Sequence, residues 1–206
     1  ETTLIKQAEK ISQMRHEISH YLSKEIMQEL KELYLENTQF EVRFTKERQL
    51  QSQGIDQVEF YLTTNPGEPL KPLVKVASGG ELSRILLALK SIFSRSQQMT
   101  SIIFDEVDTG VSGRVAQAIA EKILKIAHAS QVLCITHLPQ VAAAADNQYL
   151  IQKQVTNGRT STTVLPLSQD ERVEEVARML AGAEITDLTQ KHAQELINSL
   201  GKLRKS

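Results

Sequence analysis

The chain has 206 residues, which is enough to bury one substantial hydrophobic core. Charged residues make up 24% of the sequence and nearly cancel to a formal net charge of −1, which excludes a basic field over the whole chain for nucleic acid. Aromatic residues amount to 4% with no Trp, so base-stacking platforms are not expected.

The composition also bears on where the protein works. A single cysteine excludes an internal disulfide and suits a reducing cytosol. This residue, Cys134, lies in the apolar run VLCIT, so we expect a packed and unreactive thiol. No stretch is long and apolar enough to cross a membrane, and no signal peptide is recognisable. The chain begins at Glu1 inside a helical pattern, which predicts a piece of a longer protein.

A long helix is predicted from Leu4 to about Asn37, a stretch without Pro or Gly. Its apolar residues first follow the 4-3 alternation of a coiled-coil seam, with Arg15 as a polar interruption. The predicted seam consists of Leu4, Ala8, Ile11, Ile18 and Leu22. A later set continues one residue out of phase, as if that face turned to meet a globular body: Ile26, Leu30 and Leu33. Few heptads are present, so an ordinary amphipathic helix is the alternative.

Two short alternating segments follow the helix and predict an antiparallel strand pair with one buried face. Their apolar positions are Phe40, Val42 and Phe44 in the first segment and Val58, Phe60 and Leu62 in the second. The turn between them is predicted at residues 54–56. A Pro/Gly-containing loop over residues 64–71 then leads into the next helix.

The segment VASGGELSR predicts a loop that runs directly into a helix. Ser78 and Glu81 have the S-x-x-E spacing of a capping box. Gly79 and Gly80 leave the backbone open at the positive end of the helix, where free amides and the dipole favour an anion. From these residues alone, a phosphate-facing helix N-terminus and a capped core helix after a glycine turn are both possible.

The segments SIIFDEVDTGVSG and VLCITHLPQ predict two buried strands that end in polar side chains. Asp105 and Glu106 follow the first strand and His137 follows the second, with a helix between them. This order indicates a parallel sheet, whose carboxyl edge is where open α/β folds bind ligands. One acid can hold Mg²⁺ there while the next orients or deprotonates water. The alternatives are two solvated acids, a loop histidine and, at Asp108, a turn-forming acid.

The last part of the chain has strong local signals. Asn157-Gly158 between two alternating segments predicts a β-hairpin. Ser168 and Glu171 form a second capping box, before a helix that ends near Gly182. A final helix is predicted from about Asp187 to Gly201.

In chain order, these motifs resemble the signature motif, the Walker B strand with its D-loop, and the switch histidine of ABC-type ATPases. The segments NPGEPLKPLVKVASGGELSR, FDEVDTGVSGRVA and CITHLPQVAA closely resemble the RecN family, bacterial SMC-like proteins of DNA double-strand break repair. The resemblance covers the chain from about Phe40 to the C-terminus, and only the pattern matches in the N-terminal helix.

The resemblance implies an α/β fold, the C-terminal lobe of a P-loop NTPase head of the ABC/SMC type. This lobe would be a mixed sheet flanked by helices, with a protruding N-terminal coiled-coil helix. Residues 1–37 would be the returning end of a coiled-coil arm and residues 38–206 the lobe. The resemblance further implies ATP and Mg²⁺, a homodimer through ATP-engaged heads, DNA as a partner, no membrane, and a bacterial cytoplasmic, nucleoid-associated location.

The resemblance also assigns roles to individual residues. Asp105 would be the Walker B metal acid and Glu106 the catalytic base. His137 would contact the γ-phosphate, and Asp108 would belong to the D-loop, which runs across the dyad of ABC-type dimers. The signature residues would act in trans, on nucleotide held by the opposing subunit: Ser78, Gly79, Gly80 and Glu81.

One part of an ATPase is missing, because no G-x-x-x-x-G-K-[ST] run occurs in these residues. The resemblance places that P-loop in the N-terminal half of the same protein, the Walker A lobe with the ascending coiled coil, so we expect this chain to be inactive alone. Two other classes of protein carry related motifs. A transporter nucleotide-binding domain typically has Pro where this chain has Val107. A structural DNA-tethering module with a vestigial nucleotide site would not need intact Asp105, Glu106 and His137.

Overall fold

The computed structural model of the protein describes residues 2–76, 79–97, 99–105, 107–156, 159–182 and 184–203. The chain divides into two compact units, Glu1–Ser96 and Gln97–Ser206. None of the helices in the described ranges has the length and hydropathy that a membrane span requires.

The first unit is built from two long helices and a three-stranded antiparallel sheet. Its elements are α1 (Thr2–Glu32), β1 (Gln39–Gln51), β2 (Gly54–Thr63), β3 (Lys71–Pro72), a 3-10 helix (Leu73–Lys75) and α2 (Gly79–Gln97). The strand order is β1-β2-β3. The strand β3 was not predicted, because two residues that pair with β2 give no periodic signal of their own.

The β1–β2 hairpin confirms the predicted strand pair. Phe40 lies opposite Leu62, and both side chains are buried, but the predicted buried face does not extend to Val58, which is 42% exposed. The turn occupies residues 52–53, earlier than predicted, and residues 54–56 already belong to β2. Gly54 opens β2 with a φ of +112°, which L side chains rarely adopt, so a glycine is required where this strand begins.

One face of α1 packs against the β1–β2 hairpin through polar contacts. The Ser12 hydroxyl donates to Oδ1 of Asp56 at 2.9 Å, and Arg15 Nη1 lies 3.6 Å from Oδ2 of the same carboxylate. The His16 ring stacks on Phe44 with 3.9 Å between ring centroids. Arg15, predicted to interrupt the coiled-coil seam, therefore lies on the face of α1 that contacts the hairpin.

A second face of α1 exposes large apolar side chains, which we call the α1 stripe. Its members are Leu4, Ile11, Met14, Ile18 and Tyr21. Their spacing of seven, three and four residues is that of heptad a and d positions. Two members of the predicted seam do not belong to the stripe, because Ala8 is buried in the unit and Leu22 is half-buried.

The C-terminal end of α1 is joined to α2. The residues that continue the apolar pattern out of phase are fully buried, as predicted: Ile26, Leu30 and Leu33. Arg95 in α2 donates to Oε1 of Glu29 at 3.0 Å. Arg84, near the start of α2, donates through Nη1 to the backbone carbonyl of Leu33 at 3.1 Å. Apolar burial and two arginines therefore fix α2 against the end of α1.

The second unit follows the predicted strand–helix–strand–helix order and then adds a hairpin and two helices. Its elements are β4 (Ser101–Asp105), α3 (Gly113–Ala127), β5 (Gln131–Ile135), α4 (Pro139–Ala144), β6 (Tyr149–Thr156), β7 (Arg159–Pro166), α5 (Gln169–Ala181) and α6 (Asp187–Leu203). Pro139 is the first residue of α4, as expected from its fixed φ. The prediction for α6 was too short, because the helix continues through Gly201.

The strands β4 and β5 form a parallel pair with one buried and one exposed face, so the prediction of two buried strands was wrong for one face. Ile102 and Phe104 are buried, whereas Ile103, Leu133 and Ile135 are 62%, 50% and 51% exposed. In the described residues the strands make three separate sheets, two antiparallel and one parallel. The predicted mixture of strand directions is therefore present in the chain but not within any one of these sheets.

The β6–β7 hairpin and the capping of α5 agree with the sequence. The predicted turn at 157–158 lies outside the described residues, but the strands on either side pair antiparallel. At α5, Ser168 N–H donates to Glu171 Oε2 at 2.7 Å, and Glu171 N–H donates to Ser168 Oγ at 3.4 Å. Hydrogen bonds to the Glu171 carboxylate from the Ser168 hydroxyl and from the Ser168 backbone N–H lower the pKa of Glu171. Gly182, with a φ of +73°, ends the helix.

Leu30→Ala is expected to lower the free energy of unfolding by about 2–5 kcal/mol, because it leaves a cavity at a fully buried site. Leu4→Ala is the matched change on the same helix and is expected to cost less than about 0.5 kcal/mol, because an exposed side chain loses little burial. Urea denaturation followed by circular dichroism measures both. Equal costs for the two variants would show that the α1 stripe is packed within this chain.

Candidate functional site

The parallel pairing of β4 with β5 brings predicted site residues to one edge of a sheet. Asp105 is the last residue of β4 and lies opposite Ile135, the last residue of β5. His137 follows Ile135 by two residues. In open α/β sheets, ligands bind outside the edge at which the carboxyl ends of the strands meet. The predicted meeting of the two strand ends is therefore confirmed.

The side chain of Asp108 is buried and connects the loop after β4 with the loop after β5. Its Oδ2 accepts hydrogen bonds from the Thr136 hydroxyl and, at 3.0 Å, from the backbone N–H of His137. The ring Nδ1 of His137 lies 3.4 Å from the same oxygen. Leu138 N–H in turn donates to Thr136 Oγ1 at 3.0 Å. One carboxylate thus fixes the start of the loop that carries His137.

We call Asp108, Thr136 and His137 the strand-end cluster. The sequence identified Asp108 and His137 as site residues, but it did not identify Thr136, because a threonine at the end of a strand has no distinctive spacing. It also gave no sign that Asp108 faces His137, since that contact depends on the pairing of two strands. Asp108 Oδ1 is buried and has no hydrogen-bond partner among the described residues.

Cys134 lies in β5, one residue before the end of the strand. Burial, and then the negative charges of Asp108 and Asp105, raise the pKa of its thiol to about 12. Because the thiolate is the reactive form of cysteine, this environment keeps Cys134 in its unreactive form at neutral pH. The expectation of an unreactive thiol is therefore supported by the electrostatics of the site.

The signature segment begins α2 in the first unit. Gly79 and Gly80 are the first two residues of the helix, and a Cβ built on Gly79 would meet no atom within 4 Å. Glu81 Oε2 accepts a hydrogen bond from the Thr64 hydroxyl at 3.0 Å, which ties the start of α2 to the loop after β2. Ser78 lies outside the described residues, so the predicted capping box between Ser78 and Glu81 remains a prediction.

Of the two predicted acids Asp105 and Glu106, the structure describes only Asp105. Glu106 lies outside the described residues. The described part of the chain contains no group of three or more His, Cys, Asp and Glu side chains that could hold a metal ion. Asp105 offers one exposed carboxylate at the strand end. This fits Mg²⁺, which binds one or two carboxylates and completes its shell with water and phosphate oxygens.

Three RecN proteins are similar in sequence to this chain over most of its length. The DNA repair protein RecN of Halalkalibacterium halodurans is 57% identical over 192 residues, which cover 91% of this chain and 34% of that protein. RecN of Bacillus subtilis is 55% identical over 213 residues, covering 96% of this chain and 37% of that protein. RecN of Vibrio cholerae is 42% identical over 196 residues, covering 95% and 35%. The chain spans about a third of the length of these relatives. No family model matches it.

Solved structures share the fold at low identity. A chain from work on ATP-driven dimerization and DNA-stimulated activation of SMC ATPases superposes with a TM-score of 0.52 at 18% identity, covering 82% of this chain and 96% of that chain. An Smc head domain with a coiled coil and joint from Pyrococcus yayanosii gives a TM-score of 0.58 at 20% identity, covering 79% and 29%. The chain therefore has the fold of the solved SMC heads.

Cys134 is expected to be alkylated by iodoacetamide at neutral pH roughly 10³-fold more slowly than a cysteine in an unfolded chain, because of its raised pKa. The rate should rise about tenfold per pH unit without a plateau below pH ~11. Mass spectrometry of the folded chain, with the urea-unfolded chain as control, measures both rates. Equal rates at neutral pH would contradict the buried, acid-flanked environment.

Proposed function

We propose that this chain, which is RecN-like in sequence and has the fold of an SMC-type ATPase head, is the C-terminal part of an ATPase of DNA double-strand break repair. The main support is the edge where β4 and β5 end. Asp105 ends one strand, and His137, fixed by Asp108, follows the neighbouring strand. An edge of this kind suits a nucleotide phosphate with its metal ion.

The chemistry we propose at this edge is ATP hydrolysis. Phosphoryl transfer needs mainly the positioning of the reactants and the neutralisation of phosphate charge. Asp105 would hold Mg²⁺, which when bound neutralises charge on the phosphates. Glu106, the next residue, would orient and deprotonate the attacking water. His137 would contact the γ-phosphate from the end of the neighbouring strand.

We further propose that the signature residues act in trans within a homodimer of ATP-engaged heads. These residues are Ser78, Gly79, Gly80 and Glu81. The N-terminus of the 19-residue helix α2 directs free amides and the positive end of its dipole outward. Gly79 is exposed and has open space around it, so phosphate oxygens can approach the backbone closely. The D-loop that contains Asp108 would run near the dyad of this dimer.

The N-terminal half of the same protein is the partner that we propose for the sheet. Sheets of parallel strands are normally covered on both faces. The β4–β5 pair leaves Ile103, Leu133 and Ile135 at least half exposed on one face. A lobe that carries the P-loop would cover this face and complete the nucleotide site. This partner also supplies the phosphate-binding lysine that is lacking in this sequence.

The α1 stripe supports a second contact with the same partner. We propose that residues 1–37 are the end of a coiled-coil arm and residues 38–206 the lobe. The stripe, from Leu4 to Tyr21, would then pack against an ascending helix from the N-terminal half. A protein with the proposed repair function would bind DNA and would be located in the cytoplasm, on the nucleoid.

The chain alone is expected to hydrolyse ATP no faster than background, because its sequence has no P-loop to position the β- and γ-phosphates. Co-expression with the N-terminal half of the same protein should restore turnover. Release of inorganic phosphate from the purified proteins measures this.

The control for that experiment is the pair reassembled with Glu106→Gln in this chain. It should lack activity if turnover arises at the proposed site and not from a contaminant. Hydrolysis by the isolated chain that Glu106→Gln abolishes would overturn the split-site proposal.

Mixing two inactive full-length variants, Ser78→Arg and Glu106→Gln, should restore part of the ATPase activity. Glu106→Gln is expected to cost on the order of 10²–10⁴-fold in rate as a homodimer. Ser78→Arg places a bulky cation where backbone amides would approach phosphate. A mixed dimer contains one site in which an intact Glu106 faces an intact Ser78. Phosphate release over a range of mixing ratios measures the recovery.

Two controls make the mixing experiment decisive. Crosslinking confirms that mixed dimers form, and a linked dimer of wild type and Glu106→Gln shows whether one intact site turns over. Confirmed mixed dimers without activity, alongside an active linked control, would disprove the trans assignment. A DNA-tethering module with a dead nucleotide site would show no nucleotide-dependent dimerisation at all.

A further inference from the structure

The strand-end cluster contains a buried charge where a neutral group would satisfy the same donors. Asp108 is fully buried, and its Oδ2 accepts from the Thr136 hydroxyl and the His137 backbone N–H. An asparagine carbonyl can accept both hydrogen bonds without the cost of burying a carboxylate. The need to hold the loop therefore explains why residue 108 carries a hydrogen-bond acceptor. It does not explain why that acceptor is a charged carboxylate.

The group that makes use of the charge is the ring of His137. Its Nδ1 lies 3.4 Å from Asp108 Oδ2, a contact at ion-pair distance and not a hydrogen bond in this structure, while 67% of the side chain is exposed. A carboxylate accepts hydrogen bonds and cannot donate them, so it favours a proton on Nδ1. The hydrogen bond made by one ring nitrogen determines what the other nitrogen can do.

We propose that Asp108 is a positioning residue that acts within its own subunit, accepting the Nδ1–H of His137 and thereby presenting Nε2 to the nucleotide phosphate. The proposal rests on the proposed ATPase function and deepens it. With Nδ1 committed to Asp108, Nε2 donates to a phosphate oxygen only when both ring nitrogens carry protons. The buried carboxylate then balances the charge of the ring.

This assignment differs from a role for the Asp108 side chain across the dyad. The carboxylate is fully buried, and in the part of the chain that the structure describes its Oδ2 contacts Thr136 and His137, in the loop after β5 of the same chain. The loop that follows Walker B thus sets the geometry of the switch histidine in cis. A change in this loop would reach the phosphate through the ring of His137.

The tautomer of His137 provides a test that does not depend on activity. In the nucleotide-free full-length protein labelled with ¹⁵N-histidine, at a pH where the ring is neutral, we expect the proton on Nδ1. Asp108→Asn should shift the population toward the Nε2–H form, which free imidazole favours in water, because a neutral amide oxygen is a weaker acceptor for Nδ1–H than a carboxylate. Long-range ¹H–¹⁵N spectra distinguish the two forms, and loss of the signal in His137→Gln assigns it.

Thr136→Val is the matched control for a merely structural effect. It removes a hydrogen bond to the same oxygen and destabilises the same loop, but it leaves the acceptor for Nδ1. We expect reduced stability with an unchanged tautomer. An unchanged tautomer in Asp108→Asn, or an equal shift in Thr136→Val, would overturn the proposal.

A double-mutant cycle on ATP hydrolysis tests whether Asp108 acts through His137. Asp108→Asn alone is expected to lower kcat by roughly 10–100-fold, the usual cost of losing an orienting partner. In a His137→Gln background the same change should cost less than about threefold, because the residue it positions is already gone. Losses that multiply in the double variant would show that Asp108 acts independently of His137.

The two measurements separate failure of this inference from failure of the proposed function. If the wild-type full-length protein hydrolyses no ATP, the ATPase proposal fails and the tautomer still decides the geometry. If hydrolysis is normal and the tautomer does not depend on Asp108, the positioning role fails and the ATPase proposal stands.

Discussion

The second unit depends on a single constraint, the parallel register of β4 and β5. The pairing runs from Ser101 opposite Gln131 to Asp105 opposite Ile135, so both strands end at the same level. Alternation in β4 fixes this arrangement, because Ile102 and Phe104 must face the core and a slip of one residue would expose both. Residues that follow the strands are therefore close in space although they are distant in sequence. The contact of Asp108 with Thr136 and His137 is a direct result of this register.

In the first unit, the main constraint is the set of contacts that fixes the direction of α2. Apolar burial at the end of α1 provides the stability, and polar contacts select the orientation. Arg84 donates to the backbone carbonyl of Leu33, the residue after α1, and burial lowers the pKa of Arg84. Glu81, in the first turn of α2, accepts a hydrogen bond from the Thr64 hydroxyl. These two hydrogen bonds hold the first turns of α2 in place, and the glycines at its start are therefore held with them.

Features of local origin were predictable from the sequence, and features of non-local origin were not. Ser168 and Glu171 are three residues apart, so their mutual capping could be recognised from spacing alone. By contrast, Leu86 in α2 is 44% exposed while the adjacent Leu87 is buried. Both residues fit helical periodicity, and the choice depends on what packs against α2. Likewise, the spacing of Arg15 fits the predicted coiled-coil seam. In the structure, however, Arg15 contacts Asp56 on the hairpin and lies on a different face of α1 from the α1 stripe.

The exposure of the β6–β7 ribbon offers a way to observe whether another surface packs on it. Every residue of β7 is exposed, and Tyr149, Ile151, Val155 and Val164 present apolar surface to water. An isolated two-stranded ribbon is only marginally stable in water, and regions with few buried contacts open most often. Its backbone amides should therefore exchange with deuterated solvent rapidly while the ribbon is uncovered and slowly once another surface packs on it. The ribbon is thus a built-in reporter that requires no label.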